Sequence, residues 1–149
     1  MARKIFVNLP VSDVAKSTTF YRAIGGSLNP QFSNAETSSM VFSEDVTVML
    51  LSHARFSDFA PRPIADARSA TAVLLAFSED SRAGVDATIE AGVAAGGRGD
   101  PSPSQDHGFM YGRSLEDPDG HVLEFMWLDL AAMNAAMSAS TPAATGDAQ

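Results

Sequence analysis

Glu124 is the side chain best placed to do chemistry in this chain, because it is a carboxylate inside an otherwise apolar run. The segment 116–127 contains an Asp-Pro-Asp-Gly turn followed by residues that are typical of a β-strand. A carboxylate buried there without a partner would cost free energy, so it must face water, an ion pair or a ligand. Glu124 is therefore a candidate ligand anchor or general base. A buried ion pair with Arg113 or Lys4 is the alternative.

Strand alternation sorts the residues around Glu124 into two faces. Val122 and Met126 share the face of Glu124, and a methionine can line an adaptable apolar pocket. His121 lies three positions before Glu124, so the two side chains point to opposite faces. We therefore do not expect His107, His121 and Glu124 to chelate a metal ion together.

Residues ahead of the turn form a second candidate group. His107 is a candidate acid/base or ligand-binding group near a cleft mouth, with a hydrogen-bonded loop histidine as the alternative. Phe109, Tyr111 and Arg113 alternate, so they share one face of a strand. That row would bind a flat or anionic ligand, or would simply close the sheet.

Composition narrows the classes of protein. The chain has 149 residues, of which 45% are hydrophobic and 19% charged, a balance typical of one globular domain. A net charge of -8 argues against a nucleic-acid partner, because phosphate binding needs clustered Lys and Arg. The absence of cysteine excludes disulfides and thiolate chemistry. No apolar run is long enough for a membrane, and the N-terminus shows no signal-peptide pattern, so we expect a cytoplasmic protein.

The elements that must position these residues follow an internal repeat. A strand-like segment at 4–9 leads to a helix with cap residues Ser12 and Asp13, which a glycine pair at 25–26 ends. Three extended segments follow. The second half repeats this order, with a strand at 72–77, a capped helix, another glycine pair, and the strand of Glu124. The pattern predicts two βαβββ modules in an α+β fold.

The repeat also predicts the domain limits. Residues 1–128 form one domain, with module one at about 3–53, a proline-containing linker at about 54–69, and module two at about 70–128. Residues 129–149 form an Ala-rich tail. In this region we expect at most a short helix around 128–137, followed by a disordered end.

Paired βαβββ modules that end in Asp-Pro-Asp-Gly-His-Val-Leu-Glu-Phe, at 117–125, resemble the vicinal oxygen chelate superfamily. This superfamily includes glyoxalase I, extradiol dioxygenases, fosfomycin-resistance enzymes and bleomycin-binding proteins. The segments 7–13 and 20–25 are similar to its first module, and the likeness covers about 3–128. The resemblance implies that each module curls its sheet into a half-barrel, that the two halves form a cleft, and that the protein is a homodimer.

The resemblance also implies where a metal would bind. Metal ligands in this superfamily, when present, come from the first and last strand of each module, positions that fall here on Phe6, Met49, Ala72 and Glu124. Three of these are apolar, and one carboxylate does not hold a divalent ion, which usually needs three or four protein donors. Asn8, near Phe6, would be a poor metal ligand too. We therefore expect no cofactor. The candidate ligand-binding residues at these positions are Phe6, Asn8, Met49 and Ala72.

The favoured hypothesis is a homodimer that binds a small organic molecule in an apolar cleft without the usual metal. It would sequester that molecule or act on it through Glu124. The first alternative is a divalent-metal-dependent lyase, isomerase or dioxygenase of the same superfamily, with Glu124 among its ligands. The second is a structural or interaction module whose cleft is filled. Neither a nucleic acid nor a membrane is an expected partner.

Overall fold

The first module forms the predicted βαβββ unit. The computed structural model describes residues 3–140. Asp13 begins the first helix by accepting a hydrogen bond from the backbone N–H of Lys16, and Gly25 ends it with a φ of 113°. The sheet order is β1-β4-β3-β2, with β1 and β4 parallel. The elements are β1 (Ile5–Val11), α1 (Val14–Ala23), β2 (Ser27–Leu28), a 3-10 turn (Pro30–Phe32), β3 (Thr37–Val41) and β4 (Val46–Ser52).

The second module repeats this arrangement with one addition. After an intervening helix α2 (His53–Phe59), its sheet has the order β5-β9-β8-β6, and a short extra strand, β7, pairs with β8. Ser81 caps the helix of this module. The elements are β5 (Leu74–Ser78), α3 (Arg82–Ala94), β6 (Arg98–Gly99), β7 (Gln105–Asp106), β8 (Met110–Glu116) and β9 (Val122–Leu128). The predicted α+β fold is confirmed, and its sheets are open and do not close into a barrel.

The segment predicted as a linker is partly helical. Helix α2 starts with Ser52 as its cap, and the chain then runs without regular structure from residue 60 to β5. Phe56 is half-buried, whereas the ring of Phe59 stays exposed under the guanidinium group of Arg55. This segment therefore joins the modules and also contacts the first sheet through α2.

Both sheets pack on the same core. Val48 and Leu50 of β4 meet Leu123 and Phe125 of β9 in one buried cluster, and α1 and α3 contact each other there. Successive residues of a strand point to opposite faces. The alternate positions of both sheets therefore point away from this core.

The Asp-Pro-Asp-Gly turn at 117–120 fastens module two to the start of α1. Asp119 accepts a hydrogen bond from the backbone N–H of Ser12, and Tyr21 donates its hydroxyl hydrogen to Asp117 at 2.7 Å. The Nε2 atom of His121 lies 2.8 Å from the carbonyl oxygen of Pro10. His121 thus has a structural contact rather than a place beside Glu124.

A fourth helix, α4 (Leu130–Ser140), follows the last strand. The carboxylate of Asp129 accepts a hydrogen bond from the backbone N–H of Ala132 at its start. The short helix expected around 128–137 is present, and the disordered end expected after it lies outside the described residues. No helix between residues 3 and 140 combines the length and apolar character that a membrane crossing requires.

Candidate functional site

The outward face of the first sheet forms a trough. Asn8 of β1 pairs with Met49 of β4, which pairs with Ser39 of β3. Phe6 lies on the same face, two residues before Asn8. A cavity of about 590 Å³ lies over these residues, and its lining also includes Lys4, Asn29, Phe32, Val41, Ser43, Glu44 and Thr47. The structure therefore brings together three predicted site residues, namely Phe6, Asn8 and Met49.

The outward face of the second sheet carries Glu124. Its strand register pairs Glu124 with Ala76 of β5 and with Ser114 of β8. Glu124 is half-buried, and within residues 3–140 it has neither a hydrogen bond nor an ion pair. Met126 lies farther along this face and lines a cavity of about 480 Å³ together with Ala76 and Leu130. The predicted alternation around Glu124 is thus present, and α4 supplies one wall.

The two outward faces do not meet within one chain. Val48 and Leu50 turn one side of β4 to the core, so Met49 points away from it. Leu123 and Phe125 do the same for β9, so Glu124 points outward from the other sheet. Within one chain, the outward face of the first sheet and that of the second sheet therefore point away from each other.

Strand register also changes one of the equivalences drawn from the sequence, namely the match of Phe6 in module two. Asp13 and Ser81 are the equivalent helix caps, so the residue of β5 that matches Asn8 is Ala76, and the match of Phe6 is Leu74. Ala72 instead precedes β5 and lines a separate cavity of about 350 Å³ beside the linker. The shift arises because the serine at 78 resembles a cap in the sequence but belongs to β5.

Tyr111 and Arg113 lie on the opposite face of the sheet from Glu124. The hydroxyl of Tyr111 donates to Asp86 at 2.6 Å, and the guanidinium group of Arg113 contacts Asp86 at 2.9 Å and Asp100 at 2.7 Å. The pKa of Asp86 lies below its usual range, chiefly because the Tyr111 hydroxyl donates a hydrogen bond to its carboxylate and secondly because Arg113 does. Arg113 likewise lowers the pKa of Asp100. The ion pair considered for Glu124 and Arg113 is therefore wrong.

His107 and Phe109 lie in the loop that precedes β8. The backbone N–H of His107 donates to the carbonyl oxygen of Met110, and its exposed ring stacks on Phe109 with 6.3 Å between ring centroids. Arg82 forms an ion pair with Asp106 of β7, the strand just before this loop. This loop does not belong to the trough of the first sheet.

Sequence reasoning missed several residues of the trough. The first of the three extended segments expected after α1 covers 27–32, but Phe32 ends a 3-10 turn that Asn29 caps. Asn-Pro at 29–30 was the available signal, because an Asn cap before a Pro favours such a turn. Ser39 and Thr47 carried no signal, since their role depends on the pairing of β3 with β4.

The donor chemistry of both faces fits a metal poorly. Across the described part of the chain, no three His, Asp or Glu side chains are grouped so that they could hold a metal ion. At the matched strand positions the faces offer Asn8, Met49 and Ala76 beside Glu124. One carboxylate with an amide, a thioether and a methyl group is not a donor set that zinc or iron prefers.

Comparison with known families gives one match over most of the chain. A family model described as the Glyoxalase/Bleomycin resistance protein/Dioxygenase superfamily matches residues 5–125. No curated protein sequence matches the chain significantly.

Solved structures agree with this match. A hypothetical protein from S. aureus is 26% identical, with a TM-score of 0.70, and the match covers 85% of this chain and 95% of that one. A glyoxalase/bleomycin resistance protein/dioxygenase family enzyme from Burkholderia phytofirmans PsJN is 19% identical (TM-score 0.69, coverage 85% and 99%). A genomically encoded fosfomycin resistance protein from Listeria monocytogenes is 17% identical (TM-score 0.62, coverage 88% and 97%). At such identities the last two show the fold alone.

Proposed function

The chain belongs to the glyoxalase/bleomycin resistance protein/dioxygenase superfamily, and from this premise we propose that it is a homodimer that binds a small organic molecule in a cleft shared by two copies. The main support for the proposal is one observation. Each chain presents two half-sites that point away from its own core, one around Met49 and one around Glu124. A second copy would set the first half-site of one chain opposite the second half-site of the other.

The free strand edges support this pairing. Within residues 3–140, β1 and β5 each lie at one end of their sheet, and residues of both line a groove of about 480 Å³. Ile5 on β1 and Leu74 on β5 are 55% and 54% exposed there. An exposed apolar strand edge is a template for pairing with another chain. With two-fold symmetry, β1 of each copy would meet β5 of the other.

Glu124 would supply the main charged group of the completed cleft. In a site closed by apolar walls, its carboxylate would accept a hydrogen bond from an N–H or O–H group of the ligand. In a reaction it would take a proton from a carbon or oxygen of the bound molecule as a general base. Both roles use the same position on β9, and neither requires a metal.

The donor set favours this metal-free hypothesis over a metal-dependent lyase, isomerase or dioxygenase. Only Glu124 among the four matched strand positions carries a donor of the kind that zinc or iron sites use. The open trough beside Met49 likewise favours a binding protein over a module with a filled cleft. A pocket with few polar groups in apolar walls is typical of small-molecule sites.

The first test screens neutral organic compounds by thermal shift against the wild type and a Glu124→Gln variant. A compound at 100 times its Kd should stabilise the wild type by about 2.7 kcal/mol, several degrees for a domain of this size. The variant should lose most of that shift, because an amide is a weaker acceptor than a carboxylate. Glu90→Gln, an exposed change on α3, is the matched control and should leave the shift unchanged.

Metal content is measured on the same proteins after reconstitution with Mn, Fe, Ni and Zn. The proposal expects substoichiometric metal in both the wild type and the Glu124→Gln variant. Near-stoichiometric metal that disappears in the variant would overturn it in favour of the metalloenzyme. A screen in which no compound stabilises the wild type would contradict ligand binding itself.

A further inference from the structure

Two exposed phenyl rings line the trough of the first sheet. Phe6 is 57% exposed and Phe32 is 61% exposed, and both border the same cavity. A single exposed apolar residue is ordinary on a protein surface. Two large aromatic side chains at one concave site indicate a binding surface.

The two rings come from opposite ends of the sheet whose outward face forms the floor of the trough. Phe6 projects from β1, the first strand of the sheet, whereas Phe32 ends the 3-10 turn that follows β2, the last strand. Adjacent strands are about 4.8 Å apart, so the three spacings from β1 to β2 span about 14 Å. The floor consists of small or flexible side chains, namely Ser39, Val41, Thr47 and Met49.

Polar groups of the trough are available to a ligand. The carboxamide of Asn8 has no hydrogen bond to any described residue, and Asn29 uses its Oδ1 atom to cap the 3-10 turn, which leaves its NH₂ group. Lys4 and Glu44 bring one charge of each sign to the rim. The trough therefore offers amide donors and no excess of charge, in a protein whose net charge of -8 disfavours anions.

From these features we propose that the ligand is a neutral, planar aromatic compound with a hydrogen-bonding substituent, held by the rings of Phe6 and Phe32 and by the amide of Asn8. This inference rests on the proposed function, because it names the ligand class of the same cleft. Aromatic rings stack offset or edge-to-face, and each such contact is worth more than the apolar area that it buries. A planar ring would therefore be preferred to a saturated one of similar size.

Isothermal titration with two matched compounds tests the proposal. The probes are 2-naphthol and its fully saturated counterpart, decahydro-2-naphthol, which share the carbon skeleton and the hydroxyl group. The wild-type dimer should bind 2-naphthol about tenfold more tightly than decahydro-2-naphthol. Phe6→Leu and Phe32→Leu should each weaken 2-naphthol binding about three- to tenfold, and should change binding of the saturated alcohol less than twofold.

Phe59→Leu is the matched control. Phe59 is 65% exposed, lies on α2 beneath Arg55, and does not border the trough. This variant should bind both probes as the wild type does. Sedimentation velocity on every variant separates a change in the ligand site from a change in assembly.

Equal affinity of the wild type for both probes, or 2-naphthol binding that both ring variants leave unchanged, would overturn the aromatic ligand while leaving a dimeric cleft standing. A wild-type dimer that binds neither probe would overturn it as well. A Phe6→Leu variant that sediments as a monomer would place Phe6 in the subunit contact and refute its role in the trough. A monomeric wild type would instead refute the proposed function.

Discussion

The buried pair of Tyr21 and Asp117 is the contact between the modules with the clearest electrostatic signature. The pKa of Tyr21 lies well above its ordinary value, chiefly because the hydroxyl is buried and secondly because the Asp117 carboxylate is close to it. Burial also raises the pKa of Asp117, although Tyr21 and the backbone N–H groups of Asp119 and His121 donate to its carboxylate. Asp117 thus favours its neutral form in the folded protein more than in the unfolded chain.

This shift predicts a pH dependence that an Asp117→Asn variant lacks. Because the folded pKa of Asp117 is raised, its contribution to stability is fully present below the unfolded pKa of about 3.8 and is lost as pH rises through the folded value. The variant should therefore be about 1 kcal/mol less stable than the wild type near pH 4, and the gap should narrow or reverse by pH 7. Urea unfolding at pH 4, 5.5 and 7 measures the difference in free energy of unfolding between the two proteins. A difference that does not change with pH would contradict the raised pKa of Asp117.

The surroundings of individual side chains could be predicted only in part from the sequence. Strand alternation, which is a local property, places Glu124 on the face opposite Leu123 and Phe125, and the burial of those two residues turns Glu124 outward. Its supposed partner Arg113 lies one strand away on β8, and alternation places it on the inner face, where Asp86 and Asp100 bind it. Those aspartates come from α3 and the loop after β6, so their position depends on packing that spacing does not reveal.

At the scale of elements, α3 crosses close to β8 and α1 because Gly92 has no side chain. A Cβ atom at Gly92 would lie 2.3 Å from Cδ2 of Leu115 and 3.2 Å from Cγ2 of Ile24. Both neighbours are buried, so neither can move away freely. The glycine is therefore a packing requirement rather than a helix defect.

Gly92→Ala should destabilise the protein by about 1–3 kcal/mol, although alanine is the better helix former. Gly84→Ala is the matched control on the same helix. Its Cβ would approach Ser81 Oγ at 3.2 Å and Glu79 Oε2 at 3.4 Å, and the glutamate end is flexible. We expect it to be neutral or to stabilise by up to about 1 kcal/mol in chemical unfolding. Equal effects of the two substitutions would refute the packing argument.

The regular elements were predictable where their end signals are local. Asp13 and the glycine pair at 25–26 bound α1, as cap chemistry predicts. For α3 the sequence offers Ser78, Asp80 and Ser81 as caps, and the structure uses Ser81. Helix α2 and strand β7 were not predicted. β7 is two residues long and exists only because β8 offers its edge, so no periodicity could reveal it.

At the scale of the whole molecule, the edges of β1 and β5 predict how the two copies of the proposed dimer associate. Ile5→Lys places a charge in the groove between these edges, on a residue that is already exposed and outside the trough. The dimer dissociation constant should rise at least tenfold, about 1.4 kcal/mol, with the circular dichroism spectrum unchanged. Sedimentation equilibrium gives the constant, and Phe59→Lys on α2 serves as control. An unaltered constant would place the dimer contact elsewhere.

The sequence by itself determined the repeated βαβββ order, the helix caps and which residues share a strand face with Glu124, because alternation, capping and turn chemistry act over a few neighbouring residues. Its cytoplasmic location stays a prediction. Only the tertiary structure decided that both sheets share one core, so that the face of Met49 and the face of Glu124 point apart. It also decided that Phe32 joins Phe6 across the first sheet. Which face a sheet buries is set by contacts between distant segments, and local spacing in the sequence does not encode those contacts.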